Sequence, residues 1–436
     1  MHRSLIYRFL PDYQVHLVSS PSRIKSIPAR LEPAISRETI FVVSKTTYQP
    51  QKITFVIPSM TGGGAERQMS YVVNHAASKG YDCCLITLSG TGNDRYEIDP
   101  SVVRIGLDVL AESRGIWNSI QSNRKRVALL REAILASCPS AVVSFCDRMN
   151  IMTLAAVRGK KCKHIRIAIC ERSDPRQQKL GWGWEVLRRI YYPRCDSCVV
   201  QTNAIANYLK PIVGRDKLIH VIPTAINSPI VAFRSANERH FRGAKGDTDC
   251  PNDPKRLLYV GRLSREKGID RLLEVWSQIH SKYPEWRLMI AGEGSEKDRW
   301  LRSQAELQQS SVVDSSIDWL GWVSDVRELM ASCDAFVLPS RYEGFPNALV
   351  EAMDSNLPCV ATDCSASIVE IIPDSQSGMR VSNDSEGLAA GIELLLNDTA
   401  LRDQFREKAK LSVAKFSWSA VSTLWDNLFV SLTNQT

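Results

Sequence analysis

The sequence has no apolar run of the roughly 18 residues that a membrane-crossing helix needs. Its opening, MHRSLIYRFLPDYQVHLVSS, lacks the apolar stretch and small-residue cleavage site of a secretory signal. The expectation is a chain made and kept in the cytosol. There is no cysteine framework either. The 12 cysteines are scattered, several of them inside strand-like runs (Cys83, Cys84, Cys333, Cys359), which reads as reduced, buried thiols. The lone CxxC, Cys195 to Cys198, has no second pair at zinc spacing and opens the apolar run CVVQT, so it reads as core. Also missing are the G-x-G-x-x-G fingerprint, the P-loop and any nucleic-acid recognition motif. None of the seven histidines sits at a motif.

What is present is ordinary globular material, 44% hydrophobic and 23% charged, in a 436-residue chain long enough for two or three domains. The net charge of +8 hides an asymmetry. Gln51 to Ala225 carries 25 basic and 14 acidic residues, whereas Lys255 to Thr436 carries 19 basic and 26 acidic. A basic half can attract phosphates or an anionic membrane surface.

Residues 1–50 show no sustained period and read as an extension or disordered tail. From Lys52 the pattern sharpens. KITFVIPS reads as a strand, MTGGGAE as a loop and RQMSYVVNHAASKG as a helix ending at Gly80. YDCCLITL, AVVSF, HIRIAIC and CVVQT read as further strands, and NRKRVALLREAILASC as a helix. This alternation predicts an α/β domain over 51–226 with a parallel sheet covered on both faces. Residues 227–255 are polar and aperiodic and read as a linker. The alternation restarts with RLLYVG and predicts a second doubly wound domain over 256–415, followed by a closing helix in 416–436. In such sheets ligands bind beyond the carboxyl ends of the strands, so two facing sheets place a ligand in the cleft between them.

Four segments follow strands and carry chemistry. TGGGAER offers exposed N–H groups at a helix start, a seat for a phosphate or sugar oxygen, with Gly63 and Gly64 central; Arg67 stands where a dinucleotide fingerprint has its third glycine. AGEG, with Gly292 and Gly294, is a second turn of this kind. VGRLSREKG places Arg262 and Lys267 around a short loop, two cations that suit a diphosphate. SRYEGFPNALVEAM sets Glu343 in a loop, Pro346 near a helix start and Glu351 further along that helix. Carboxylates accept sugar hydroxyls, and free N–H groups at a helix start meet phosphate. The chemistry is that of a sugar-nucleotide site.

Together GGGAER, GRLSREKG, AGEG, LGWVSDV and EGFPNALVEAM resemble, in order, the motifs of the retaining glycosyltransferases of family 4, which have the GT-B fold of two Rossmann-like domains facing a cleft. FSWSAVSTLWDNLF is similar to that family's closing helix, which crosses back to the first domain. The resemblance implies that Glu351 holds a nucleotide's ribose and Glu343 the donor sugar's hydroxyls. Gly344, Phe345 and Asn347 would lie near sugar and phosphate, and Arg262 and Lys267 would neutralise the diphosphate. Gly63 and Gly64 would approach from the other domain, and Trp322 and Val323 would meet the base. It further implies a nucleotide-diphosphate sugar, UDP before GDP, with no cofactor and no metal.

One departure concerns the loop expected after AVVSF, where some family members carry a histidine and this chain reads Cys146, Asp147, Arg148, Met149, Asn150. ICERSDPRQQK, with Glu171, Arg172 and Asp174, resembles a segment of bacterial transferases that extend undecaprenyl-diphosphate-linked oligosaccharides. Arg148, Asn150, Glu171 and Arg172 are therefore the candidate acceptor residues, for a polyprenyl-diphosphate-linked saccharide. LGWGWEVLRRIYYPR interleaves aromatic and basic residues, a composition for an anionic interface at the cytoplasmic face. Asp247 and Asp249 form a DTD triplet inside the linker, after no strand, and read as no metal site. Two other classes fit the same motifs: a GT-B-like UDP-N-acetylhexosamine epimerase, and a non-catalytic sugar-nucleotide-binding protein.

Overall fold

Near-continuous apolar runs such as Lys52–Ile57 and Ala141–Phe145 leave no solvent face for a strand, and both are buried on both sides. The computed structural model describes residues 51–110, 116–178, 180–226, 254–306 and 315–434, with the side chains of 116–119, 161 and 303–306 excepted. The expected N-terminal extension, and Asp247 and Asp249 of the linker, lie outside these residues.

The first module is built on β1 (Lys52–Ile57), β2 (Asp82–Thr87), β3 (Val103–Gly106), β4 (Ala141–Phe145), β5 (Arg166–Cys170), β6 (Ser197–Val200) and β7 (Leu218–Val221). They form one parallel sheet in the order β3-β2-β1-β4-β5-β6-β7. Helices α1 (Gly64–Ser78), α2 (Ile116–Ala136), α3 (Asp147–Ala156), α4 (Trp182–Tyr191) and α5 (Asn203–Val213) connect them. The second module has β8 (Lys255–Val260), β9 (Trp286–Ala291), β10 (Ile317–Gly321), β11 (Ala335–Leu338), β12 (Cys359–Thr362) and β13 (Met379–Val381), parallel in the order β10-β9-β8-β11-β12-β13. Its helices are α6 (Ile269–Ile279), α7 (Ser295–Glu306), α8 (Val326–Ala331), α9 (Asn347–Asp354), α10 (Ala366–Ile371), α11 (Ser385–Asn397) and α12 (Thr399–Val413), and α13 (Trp418–Thr433) follows.

Alternating residues of each strand enter opposite cores, as the pleat requires. Phe55 and Ile57 join one cluster and Val56 the other; Leu258 and Tyr259 divide likewise in the second module. Cys195 and Cys198 are buried free thiols, and burial pushes Cys195 up to about 12, which agrees with a core role. Each sheet reverses its strand order at one point, between β1 and β4 and between β8 and β11. Crevices open at the carboxyl ends of the strands there.

Two local readings change. Helix α1 begins at Gly64 rather than at Arg67, because Glu66 reaches back to cap it: its Oε2 accepts from the N–H groups of Gly62 and Gly63, the latter at 2.7 Å. The segment after β4 is not a loop. Cys146, at φ 76°, makes the turn, and α3 starts at Asp147.

Helix α13 packs on the first module. Its Trp425 is fully buried, stacks on Phe145 with ring centroids 5.9 Å apart and meets Phe429. Where the chain passes between modules, the two segments bond to each other: Ile226 N–H to the Phe416 carbonyl at 2.9 Å, and Trp418 N–H to the Ile226 carbonyl at 3.0 Å. Trp425→Ala is expected to lower the unfolding free energy by about 3–5 kcal/mol, the usual cost of emptying a buried aromatic site. Urea unfolding of both proteins measures this, and an unchanged midpoint would show that α13 is only loosely docked.

Candidate active site

The loop after β8 can reach the loop after β11 because Gly268 has no side chain. It sits at φ 68°, and a Cβ there would run into the carbonyl of Pro339. The approach brings Lys267 to Glu343. The Lys267 Nζ donates to both carboxylate oxygens, at 2.8 and 2.7 Å, and Ser340 Oγ donates to Oε1 at 2.7 Å. The turn that carries Glu343 is fixed from behind. Arg271 Nη2 donates to the Pro339 carbonyl at 2.6 Å, and Thr362 Oγ1 to the Ser340 carbonyl at 2.6 Å. Glu343 is 5% exposed, and these hydrogen-bond partners replace the water that a carboxylate so enclosed has lost. Arg262 is mostly exposed, 3.8 Å from Glu266.

Gly292 and Gly294 lie where a Cβ would strike the carbonyls of Gly261 and Leu263, so the AGEG turn packs directly on the loop that holds Arg262. Helix α9 begins just beyond Pro346 and presents Glu351 one turn inside. From the first module come Gly62 to Gly64 after β1, Cys146 and Asp147 after β4, and Arg172 after β5.

These elements line one cleft of about 810 Å³. Of the expected residues it gathers Glu343, Arg262, Lys267, Gly63, Gly64, Gly292, Trp322, Val323, Gly344, Phe345, Asn347, Glu351 and Arg172. Gly294 is not on its wall and serves packing instead. Three acceptor candidates are also placed elsewhere. Arg148 turns outward over the ring of Trp184, 5.6 Å from its centroid. Asn150 is buried and donates to the Cys170 carbonyl at 3.0 Å. Glu171 is buried behind the cleft, where Tyr192 Oη donates to it at 2.7 Å and Arg188 stands 3.9 Å away. The reason is tertiary: α4 covers this end of β5, so the side chain after the strand faces α4 instead of the cleft. Arg172, the next residue, faces the cleft. Its Nη2 donates to Thr224 Oγ1 at 2.7 Å, while Nε and Nη1 are buried without a partner.

The modules touch across the cleft. Arg67 of α1 pairs with Glu351 of α9, and Arg95 lies 4.8 Å above the ring of Trp322. A Cβ on Gly344 would stand 2.9 Å from the Cα of Ser173, and one on Gly64 would meet Asn347. In the sequence Arg67 stands out only as the residue that breaks a glycine fingerprint, and Arg95 carries no local signal. Among the described residues no cluster of histidine, cysteine or acidic side chains is arranged to hold a metal ion.

Two parallel sheets of this order, facing one cleft with the Gly62–Gly64 turn on one wall and a lysine–glutamate pair on the other, define a two-module α/β fold with its ligand cleft between the modules. Residues 62–228 match the family described as Glycosyltransferase Family 4, and residues 254–398 match Glycosyl transferases group 1. The chain belongs to these glycosyltransferases and has the GT-B fold. It is 27% identical, over 88% of its length and 99% of the relative's, to a GalNAc-alpha-(1->4)-GalNAc-alpha-(1->3)-diNAcBac-PP-undecaprenol alpha-1,4-N-acetyl-D-galactosaminyltransferase of Campylobacter jejuni. Among solved structures, the sucrose-phosphate synthase of Thermosynechococcus elongatus superposes with a TM-score of 0.69 at 18% identity, covering 88% of this chain and 99% of that one. The Anabaena protein HepE in complex with UDP superposes with a TM-score of 0.61 at 15% identity, covering 88% and 99%.

Burial raises the Glu171 carboxyl to about 7, against the opposing pull of Arg188 and the Tyr192 hydroxyl; the nearby Asp147 adds to the rise. Between the ordinary carboxylate value and about 7, the folded chain keeps a proton that the unfolded chain has released. The stability this brings is complete below the ordinary value and is lost as pH rises through about 7. Glu171→Gln removes the titration. Urea midpoints at pH 5 and pH 8 are expected to show the native protein losing stability relative to the variant on going to pH 8. A difference that does not change with pH would mean that Glu171 titrates as an ordinary carboxylate.

Proposed function

We propose that this glycosyltransferase moves a hexosyl or N-acetylhexosaminyl group from a nucleotide-diphosphate sugar, UDP before GDP, to a polyprenyl-diphosphate-linked saccharide, with retention at the anomeric carbon and without a metal. The observation that carries the reading is the Lys267–Glu343–Ser340 cluster beside Arg262, set opposite the glycine turn of the other module. Breaking the bond to a nucleoside diphosphate leaves negative charge on the departing oxygens. Lys267, Arg262 and the N-terminus of α9 meet that charge, with positions fixed before the reaction starts. Glu343 accepts hydroxyls of the donor sugar, and Glu351 those of the ribose. The N–H groups near Gly63 and Gly64 approach the donor from the other side, and Arg172 lines the same side of the cleft, toward the acceptor. The relative from Campylobacter jejuni is named for an undecaprenol-diphosphate acceptor, and HepE was solved with UDP; both agree with this reading.

A lipid-linked acceptor calls for a peripheral contact with the membrane. Among the described residues no helix is long and apolar enough to cross it. Helix α4 turns outward Trp182, which is 85% exposed, with Val186, Leu187 and Ile190 and the cation of Arg189. That is the composition of a helix lying in an anionic interface at the cytoplasmic face.

The purified protein is to be incubated with a panel of sugar nucleotides, with and without membrane extract. Acceptor-dependent transfer that persists in EDTA is expected, with Lys267→Ala and Arg262→Ala each lowering turnover by about 10²-fold. Sugar-nucleotide conversion that needs no acceptor would indicate an epimerase, and binding without turnover a non-catalytic protein. Loss in EDTA with rescue by magnesium or manganese would overturn the metal-free mechanism.

The membrane contact has its own test. Co-sedimentation with anionic vesicles is expected to weaken as salt rises and to fall strongly in a Trp182→Ser, Arg189→Glu double variant. UDP affinity should be unchanged in that variant, because neither residue lines the cleft. A protein that ignores anionic vesicles at low salt, and glycosylates a soluble sugar as well as a lipid-linked one, has no such surface.

A further inference from the structure

Arg67 is not among the residues assigned above to donor or acceptor, yet it makes the main ionic contact across the cleft. It lies in the first turn of α1, and its Nη2 donates to Glu351 Oε1 of α9. Both side chains are largely enclosed, and both residues line the cleft. Glu351 is the carboxylate that the proposed function gives to the ribose. While Arg67 holds Oε1, Glu351 has fewer lone pairs free for a ribose diol. A nucleotide entering this cleft therefore competes with a cation for Glu351. The second cross-cleft contact has the same character. Arg95 covers a face of Trp322, the side chain expected beside the base, so a base that stacks there also takes an arginine's place.

The displaced guanidinium has somewhere to go. Lys267 and Arg262 line the same cleft, and a diphosphate brought between them carries negative charge into an enclosed space with Arg67 on its opposite wall. Arg67 loses one carboxylate and gains phosphate oxygens that its planar fork fits equally well.

We propose that Arg67 is a further donor-binding residue that exchanges partners: Glu351 in the empty cleft, the diphosphate of the nucleotide in the loaded one. The proposal rests on the nucleotide-sugar reading. It distinguishes nucleoside from nucleoside diphosphate. A nucleoside without phosphates pays for breaking the Arg67–Glu351 pair and gives Arg67 nothing in return. A diphosphate supplies the new partner. A ligand shifts a two-state contact only through such differential affinity. By this means the first module takes part in donor binding, and the cation that closes the empty cleft becomes one that holds the leaving group.

The test compares uridine and UDP by titration calorimetry on the native protein, Arg67→Gln and Arg67→Lys, with thermal melting as the check on folding. In Arg67→Gln, UDP affinity is expected to fall by about tenfold, the order for one hydrogen bond to a charged group, while uridine affinity is unchanged or rises. Arg67→Lys keeps the charge but not the fork, so its UDP affinity should lie between the two. If UDP binds Arg67→Gln as tightly as the native protein or more tightly, Arg67 is a competitor of the nucleotide and not a ligand for it. If uridine and UDP weaken by the same factor, the effect does not come from the phosphates. Either result overturns the exchange and leaves the nucleotide-sugar reading standing. A native protein that binds neither UDP nor GDP overturns both.

Discussion

The ion pair between Lys267 and Glu343 joins two loops that are 76 residues apart, and the arrangement of the second module's wall follows from it. A carboxylate taken out of water needs hydrogen-bond partners in its place, and Lys267 and Ser340 supply them to Glu343. Two conditions make the contact possible. The strand order reverses between β8 and β11, so the loops leaving those strands diverge around a crevice. Gly268 then lets one loop close onto the carbonyl of Pro339. A side chain at 268 would push Lys267 away from Glu343 without changing any residue that touches a ligand.

The same logic holds between the modules. The basic first half and the acidic second half do not merely await different partners; they face each other. Arg67, Arg95 and Arg172 lie on one wall with Glu66, Asp147 and Asp174, and Glu343 and Glu351 lie on the other with Arg262 and Lys267. At the narrowest point it is backbone that meets backbone, Gly344 against Ser173, where a side chain would force the walls apart. The Arg67–Glu351 pair joins the modules, and glycine sets how near they come. Cations line the cleft from both modules, Arg67, Arg95 and Arg172 from the first and Arg262 and Lys267 from the second.

The sequence made legible those features whose causes are local. Strands buried on both faces are continuous apolar runs, so β1, β4, β8 and β11 could be read directly. The residues of the Lys267 and Glu343 loops could be read too, since glycine, proline and charge follow a strand within a few positions. The half-exposed edge strands β3, β7, β10 and β13 were missed because they are short and carry little apolar signal. The start of α3 was missed because Cys146 adopts a positive φ that only the surrounding turn imposes. The acceptor candidates show the limit most clearly. Glu171 and Arg172 are neighbours with the same local context, yet one is buried against α4 and the other lines the cleft. Nothing near them in sequence separates the two; α4 does, from more than ten residues away.

Helix α4 sets the same problem in its own sequence. Arg188 and Arg189 are adjacent, and adjacent residues on a helix point about 100° apart. Arg188 is fully buried, held by Glu185 at 3.0 Å and close to Glu171, whereas Arg189 is in solvent beside the exposed apolar side chains. One arginine faces the module and the other belongs to the helix's outer surface. Glu171 stands near the inner one and accepts from the Tyr192 hydroxyl. The chain's two passages between modules meet side by side at Ile226 and Ser417. That pairing, with α13 packed on the first module, fastens the two passages to each other beside the first sheet.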